Sequence, residues 1–377
     1  MLSIFWICAF LICYVYLGYP LLLASGLFGK RRLGRRRCIQ PSLSVVIPAR
    51  NEEKVIRAKL LNLLGQNYPL EKLEILVGND GSSDATAAVV SEFIPLGVQL
   101  VSADEPCGKS SIQNALVERA QSEILVFTDA DCTLPTNAIR TMVQHFADPR
   151  VGLVTGCASF RNRGQTLIVE NESLYWRYER WLRKQESDRG LLAMASGSLF
   201  AMRHSLWRRL DPNVGDDFVL PLSVARAGFR NVLETRFSPA TVLTQNQPDS
   251  MFRMKMRIIS KDLRGLLGNA SCLNPFRVGL VAISLWSHKL LRWAVPYFLI
   301  GLFLSNLFLL ANTFYALTLA AQLAFYSLAA LGLFLRGDRI RRPLSAASSF
   351  CLVNLAALAG TLHCFTFQTA GRWKPAR

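Results

Sequence analysis

The chain has 377 residues, a formal net charge of +17 and 51% hydrophobic residues, so it can hold one catalytic domain of ordinary size plus further apolar mass. The excess charge does not mark a nucleic-acid binder, because the basic residues are not interleaved with aromatics along a soluble face. They cluster beside long uncharged stretches: Lys30, Arg31, Arg32, Arg35, Arg36 and Arg37 follow the first, and Arg336, Arg339, Arg341 and Arg342 separate two later ones. Anionic headgroups and the positive-inside rule explain that placement. Nine scattered cysteines without a Cys-x-x-Cys pair, and four histidines without ligand spacing, point to neither a disulfide framework nor a zinc site. Reduced, cytoplasm-facing thiols are the expectation.

Residues 2–28 carry no charge. As a helix they would run about 40 Å, enough to cross a hydrocarbon core of about 30 Å with tilt. A cleaved signal peptide is the alternative, disfavoured by the length of the run and the lack of a basic start. Residues 1–29 are therefore read as a transmembrane helix. The basic linker 30–42 would hold the next domain in the cytoplasm.

From residue 43 the pattern becomes strand, loop, helix, repeated, which predicts an α/β fold with a mostly parallel sheet. Strands are expected at 43–47, 73–77, 98–101 and 124–127, with a helix over 53–64 and another after Gly108-Lys109. The polar strand ends would meet in one crevice at the carboxyl edge of the sheet, where such folds bind ligands. The fourth strand ends in Asp129-Ala130-Asp131. One carboxylate there can face a divalent cation and the other a sugar hydroxyl, and Mg2+ favours one or two carboxylates plus substrate phosphates. A solvated turn is the plainer reading of that pair. Gly108-Lys109-Ser110 imitates the end of a phosphate-binding P-loop, but Ala103 stands where the first glycine of that motif belongs. Lys109 at a helix start can still neutralise a diphosphate.

Beyond the sheet, 174–190 reads as an amphipathic helix rich in aromatics and arginine, packing the domain and skirting the membrane. Ser196-Gly197-Ser198 is a small-residue turn into a strand. Asp216-Asp217 opens a helix, where acidic residues complement the helix dipole in the plainer reading. Residues 249–292 are expected to form amphipathic interface helices: Phe252, Met256, Ile259, Leu263 and Leu266 share one face, with Trp286 and Trp293 at headgroup level. Three apolar segments over 293–311, 314–335 and 344–367 complete the C-terminal region 293–377.

Taken together, VVIPARNE at 45–52, NDGSSD at 79–84, GKSSIQN at 108–114 and DAD at 129–131 resemble a family 2 glycosyltransferase in order and spacing. The likeness reaches roughly from 43 to 300 and implies a GT-A nucleotide-sugar-binding domain, here assigned to 43–248. It implies nucleotide contacts from Pro48, Ala49, Glu52, Asp80, Lys109 and Asp129, and a metal ligand, for Mg2+ or Mn2+, in Asp131. It places Gly197, Ser198 and Asp216 near the sugar or acceptor and makes Asp217 the catalytic base. Asn79 stands where many members have an aspartate, and Asp216 replaces the more usual glutamate. FRMKMRII at 252–259 lacks the Q-x-x-R-W of processive members, which leaves Arg253 and Arg257 as weak diphosphate contacts and argues against long-chain polymerisation.

The activity so implied is inverting transfer from a nucleotide-diphosphate sugar, expected to be a UDP-sugar, to a hydroxyl of a cell-surface polysaccharide or glycan. Single transfer to a lipid or lipid-linked acceptor is the alternative. The partners expected are donor, acceptor and membrane lipids, not nucleic acid. A non-catalytic nucleotide-binding membrane scaffold is the contrasting class, and intact Asp80, Asp131 and Asp217 stand against it.

Overall fold

The computed structural model describes residues 1–30, 37–157, 159–160, 167–237, 240–241, 248–334 and 342–366. Most of the basic run after the first helix (31–36), the basic loop 335–341 and the tail 367–377 lie outside the described residues, and with them the charges from which sidedness is read.

The uncharged N-terminal run forms one helix, Leu2–Ala24, made of α1 (Leu2–Cys13), a π-helical turn (Tyr14–Gly18) and α2 (Tyr19–Ala24). The π turn lies directly before Pro20, which has no N–H to return to the preceding turn. The α/β unit follows in the order β1 (Leu43–Ala49), α3 (Glu53–Leu64), β2 (Leu73–Asp80), α4 (Thr86–Ser91), β3 (Val98–Ala103), α5 (Lys109–Val117), β4 (Ile124–Thr128), β5 (Cys132–Thr133) and α6 (Ala138–Val143). Then come β6 (Val151–Thr155), β7 (Ser159–Phe160), α7 (Leu167–Arg189), β8 (Leu199–Arg203), α8 (Asp216–Arg226), β9 (Arg230–Leu233) and β10 (Ala240–Thr241).

The main sheet has the order β3-β2-β1-β4-β8-β6-β9, and β5, β10 and β7 form a small second sheet. The four strands expected from the apolar runs are mutually parallel, with Val45 opposite both Ile75 and Val126. Because strand side chains alternate, each run feeds two cores. Val45 and Ile47 pack with Ile56, Leu60 and Leu63 of α3 and with Met142 of α6. Val46, Leu76 and Phe127 pack on the other face with Leu116 of α5 and Leu220 and Val224 of α8. Strand β8 is antiparallel to β4, with Leu199 opposite Thr128. That reversal sets the Gly197-Ser198 turn at the carboxyl end of β4, beside Asp129. Phe127 and Phe200, paired across these strands, stack at 4.7 Å.

The remaining helices are α9 (Pro248–Gly268), α10 (Pro275–Val278), α11 (Val281–Ser284), α12 (Leu291–Leu307), α13 (Thr313–Phe334) and α14 (Arg342–Thr366), with a π-helical turn, Leu285–Leu290, joining α11 to α12. Among the described residues four helices are long and apolar enough to cross a membrane: Leu2–Ala24, Val281–Leu307, Thr313–Leu333 and Leu344–Thr366.

The interfacial helices expected over 249–292 take a different form. The apolar face of α9 is covered by protein: Leu263 and Leu266 pack with Phe218 and Leu222 of α8, while a Cβ on Gly360 of α14 would lie 2.8 Å from the Met256 carbonyl oxygen. An apolar helical stripe fits a groove between helices as well as a lipid surface, so its periodicity does not separate the two. Residues 281–292 are not a separate surface helix but the first turns of the candidate span Val281–Leu307. Trp293, expected at headgroup level, is only 6% exposed and lies against Phe218, whereas Trp286 is 45% exposed.

Candidate active site

The carboxyl ends of β1 and β2 are laced together. Asn51, at φ 55°, donates its N–H to Ser82 Oγ at 3.0 Å and accepts from the Ser83 N–H at 2.9 Å. Glu52 is buried, and its N–H donates to Thr86 Oγ1 at 2.8 Å. Pro48 and Ala49 remain inside β1, paired with Gly78 and Asn79, and Ala49 is fully buried. Any nucleotide contact from these two is therefore a backbone contact. Gly81 turns the chain at φ +57°; a Cβ there would sit 2.7 Å from the Pro106 nitrogen, so the turn needs glycine.

Asp80 is fully buried. Its Oδ1 accepts from the N–H groups of Cys107 and Gly108 at 2.7 and 2.9 Å, which fixes the loop entering α5, while Oδ2 has no hydrogen-bond partner among the described residues. That loop delivers Lys109 to the centre of the crevice. Its Nζ donates to Asp129 Oδ1 at 3.0 Å and stands 3.5 Å from Asp216 Oδ2. Burial alone would lower the Lys109 pKa, but the carboxylates of Asp129, Asp216 and Asp217 outweigh it and hold the ammonium above the ordinary lysine range. Asp216 is buried and also accepts from Gln113 Nε2 at 2.7 Å.

Asp217 occupies the first turn of α8, held by its carbonyl, which accepts from the Ala195 N–H at 2.7 Å. Its carboxyl lies between two glycines: a Cβ on Gly197 would be 3.2 Å from Oδ2, and one on Gly215 would be 3.1 Å from Oδ1. Burial raises its pKa to about 7, helped by the negative charges of Asp216 and Asp262 and opposed by Lys109 and Lys289. An aspartate poised near neutrality in a crevice is suited to taking a proton.

Asp129, Lys109, Gly197, Asp216 and Asp217 thus meet in one place. Asp131 sits at the rim of the same loop, half-buried. Among the described residues no three histidine, cysteine or acidic side chains cluster as a metal cage. The donor set fits a hard cation held by Asp131 and by substrate phosphate oxygens. Ser198 has its carbonyl tied to Thr128 Oγ1 at 2.9 Å and its hydroxyl to Ser196 Oγ at 2.9 Å. On α9 Arg253 is exposed, whereas Arg257 is half-buried, as is Lys261 one turn further on. Burial lowers the pKa of both, and Lys261 feels Arg257 as well as the Asp216 and Asp217 charges.

Sequence reasoning missed four side chains here. Lys59 on α3 is buried beneath the Asp-Ala-Asp loop, donating to Thr128 Oγ1 at 2.7 Å and to the Cys132 carbonyl at 2.6 Å. Its signal was a lysine within the apolar stripe of Ile56, Leu60 and Leu63. Asp262, an acid within the apolar stripe of α9, gave a similar signal, and Lys289 pairs with it at 3.4 Å. Gln113 gave none.

Comparison with known proteins agrees with this geometry. The model of "Glycosyl transferase family 2" matches residues 44–210. The chain is 30% identical over 229 residues to the probable glycosyltransferase YdaM of Bacillus subtilis, covering 56% of this chain and 52% of that protein. It is 25% identical over 228 residues to an N-acetylglucosaminyltransferase of Rhizobium meliloti, covering 56% and 52%. It is 28% identical over 171 residues to a beta-monoglucosyldiacylglycerol synthase of Trichormus variabilis, covering 44% and 36%. The chain spans about half or less of the length of these relatives. Among solved structures it superposes on the mannosyltransferase PcManGT of Pyrobaculum calidifontis, in complex with GDP-Man and Mn2+, with a TM-score of 0.73 and 23% identity, covering 97% of this chain and all of that one. Residues 44–210 thus match the family 2 glycosyl transferase model, and the chain shares the fold of that mannosyltransferase.

Proposed function

We propose that the protein transfers a sugar, with inversion, from a nucleotide-diphosphate sugar to a hydroxyl of an acceptor held at the cytoplasmic face of the plasma membrane, as a multi-pass membrane enzyme. The observation that carries this reading is the convergence of Lys109, Asp129 and Asp216 with the Asp217 carboxyl, whose pKa lies near 7. In the transfer the acceptor oxygen bonds to the anomeric carbon as its proton passes to Asp217. The bond from that carbon to the phosphate oxygen breaks, and its electron pair leaves with the diphosphate. Lys109 lies where it can offset the charge that grows on the leaving group. Asp131 is assigned to Mg2+ or Mn2+, which when bound adds the same kind of stabilisation. Asp80 and the loop it pins are assigned to the base and ribose, with UDP expected from the resemblance of the loop sequences.

For the acceptor, a lipid or lipid-linked sugar is favoured by one feature. Helix α9 carries Lys261 beside the Asp216 and Asp217 carboxylates and packs along α14, a candidate span. The relative named for monoglucosyldiacylglycerol synthesis agrees with this choice. Addition to a cell-surface glycan is the second reading, favoured by the relatives named as N-acetylglucosaminyltransferases. Supplying membranes that contain the protein with radiolabelled UDP-glucose, UDP-N-acetylglucosamine, UDP-galactose or GDP-mannose, and then sizing the product, separates the two. A single-sugar glycolipid supports the first, a polymer the second, and no transfer from any donor contradicts both.

A further inference from the structure

Behind Asp217, on the side away from Lys109, lies a buried ion pair that the assigned chemistry does not use. Asp262 of α9 and Lys289 of the π-helical turn stand 3.4 Å apart, with side chains 8% and 14% exposed. Lys289 lies over the rings of Phe218 and Trp293, 5.5 Å from each centroid, so its ammonium is held by aromatic faces as well as by Asp262. The Asp262 and Asp217 carboxyls border the same gap, left by Gly215: the point where a Cβ would stand is 3.1 Å from Asp217 Oδ1 and 3.3 Å from Asp262 Oδ1. Two carboxyls thus flank one missing side chain, and the cation of the second sits at the head of a candidate membrane span.

We propose that the Asp262–Lys289 pair is a positioning element of the transfer reaction, acting on the Asp217 carboxyl across the Gly215 gap and setting the pH at which it takes the acceptor proton. The proposal rests on the reading of Asp217 as the base. The charged groups facing Asp217 are Asp216 on its own helix, Lys109 from α5, Lys261 and Asp262 from α9, and Lys289. Lys109 and Asp216 face the crevice that is to receive the diphosphate, so their effect changes as substrate enters. Asp262 and Lys289 are sealed behind the base and act on it throughout the cycle. Their effects oppose each other: the Asp262 charge favours protonated Asp217, and Lys289 favours the carboxylate. A π-helical turn carries Lys289, and such turns redirect side chains at a local cost in regularity.

The test is infrared pH-difference spectroscopy of the full chain in lipid vesicles, reading the protonated carboxyl band that disappears in Asp217→Asn. The native midpoint is expected near pH 7. Asp262→Asn removes an anion and frees the Lys289 charge, so it should lower the midpoint by about one unit. Lys289→Gln leaves Asp262 uncompensated and should raise it by about as much. Damage to the fold moves both variants alike, so only opposite shifts support the pair. Where a single variant does not fold, Asp262→Asn with Lys289→Gln removes both charges and should bring the midpoint back close to the native value. Equal or absent shifts, or a displaced midpoint in the double variant, overturn the proposal. If Asp217→Asn retains transfer, the base reading fails. If it abolishes transfer while the midpoint ignores both variants, only the present inference fails.

Discussion

Lys109 donates to Asp129 across 3.0 Å and so joins the start of α5 to the loop that ends β4. The contact gathers onto one ammonium the carboxylates that frame the crevice, with Asp216 a further 3.5 Å contact. Lys109→Met keeps the stem and removes the charge. Transfer should fall by about 10²-fold or more, because a preorganised charge aimed at the leaving group is lost. Donor titration and initial rates on the same preparation measure this; an unchanged rate would remove Lys109 from the chemistry.

Lys59 supports the loop on which Asp129 and Asp131 stand. Burial lowers its pKa to about 8 from 10.5, opposed by Cys132, Asp129 and Asp131. Between those values the unfolded chain binds more protons than the folded one, so stability should rise as pH climbs from about 8 to 10.5. Lys59→Met should remove that slope from thermal-unfolding midpoints. It should also raise the Mn2+ concentration for half-maximal transfer several-fold. A slope that survives the substitution would assign it to another group.

Gly197 leaves room for the Asp217 carboxyl and, at 3.9 Å, for Lys109 Nζ. An alanine Cβ would meet Asp217 Oδ2 at 3.2 Å, tight enough to displace it. Gly197→Ala should therefore lower kcat by about tenfold, or about 1.4 kcal/mol, with little change in donor affinity. A fall in affinity with normal kcat would place this turn at the donor instead.

Much of this was legible in the sequence, for identifiable reasons. The runs 43–47, 73–77 and 124–127 are apolar apart from Ser44 and Glu74 because both faces of those strands are largely buried, and their polar ends mark the crevice edge. Asp217 could be named as a candidate because the resemblance extends past the sheet motifs to the start of α8. The packing of Trp293 and of the apolar face of α9 against protein was not legible, because a helix buried between α8 and α14 carries the same stripe as one on a lipid surface. Asp262 and Lys289 are distant in sequence and meet only because α9 folds back against the π-helical turn. No local pattern encodes that meeting.

The same limit hid a second buried network. The Glu186 Oε1 atom accepts from Tyr19 and Ser284 hydroxyls and lies 2.8 Å from His288 Nδ1, while Arg292 donates to Glu179 at 2.9 Å and His288 Nε2 lies 3.0 Å from that residue. It ties α2 and α7 to the candidate span Val281–Leu307. His288→Leu leaves two buried glutamates without their shared partner, and breaking such a network costs about 3–5 kcal/mol. Thermal unfolding in detergent should show a large drop in midpoint. Native behaviour would mean that the network does not join these helices.

The central claim is that Asp217 takes the acceptor proton, and Asp217→Asn tests it most directly. The substitution keeps the shape of the side chain between Gly197 and Gly215 and removes its basicity. Transfer from the active donor and binding of its nucleoside diphosphate are measured on one preparation, with Asp80→Asn as the comparison. Asp217→Asn should abolish transfer by about 10²- to 10⁴-fold and leave diphosphate affinity within a few fold, whereas Asp80→Asn should weaken the nucleotide itself. Transfer retained in Asp217→Asn, or lost in Asp216→Asn alone with donor binding intact, would contradict the assignment.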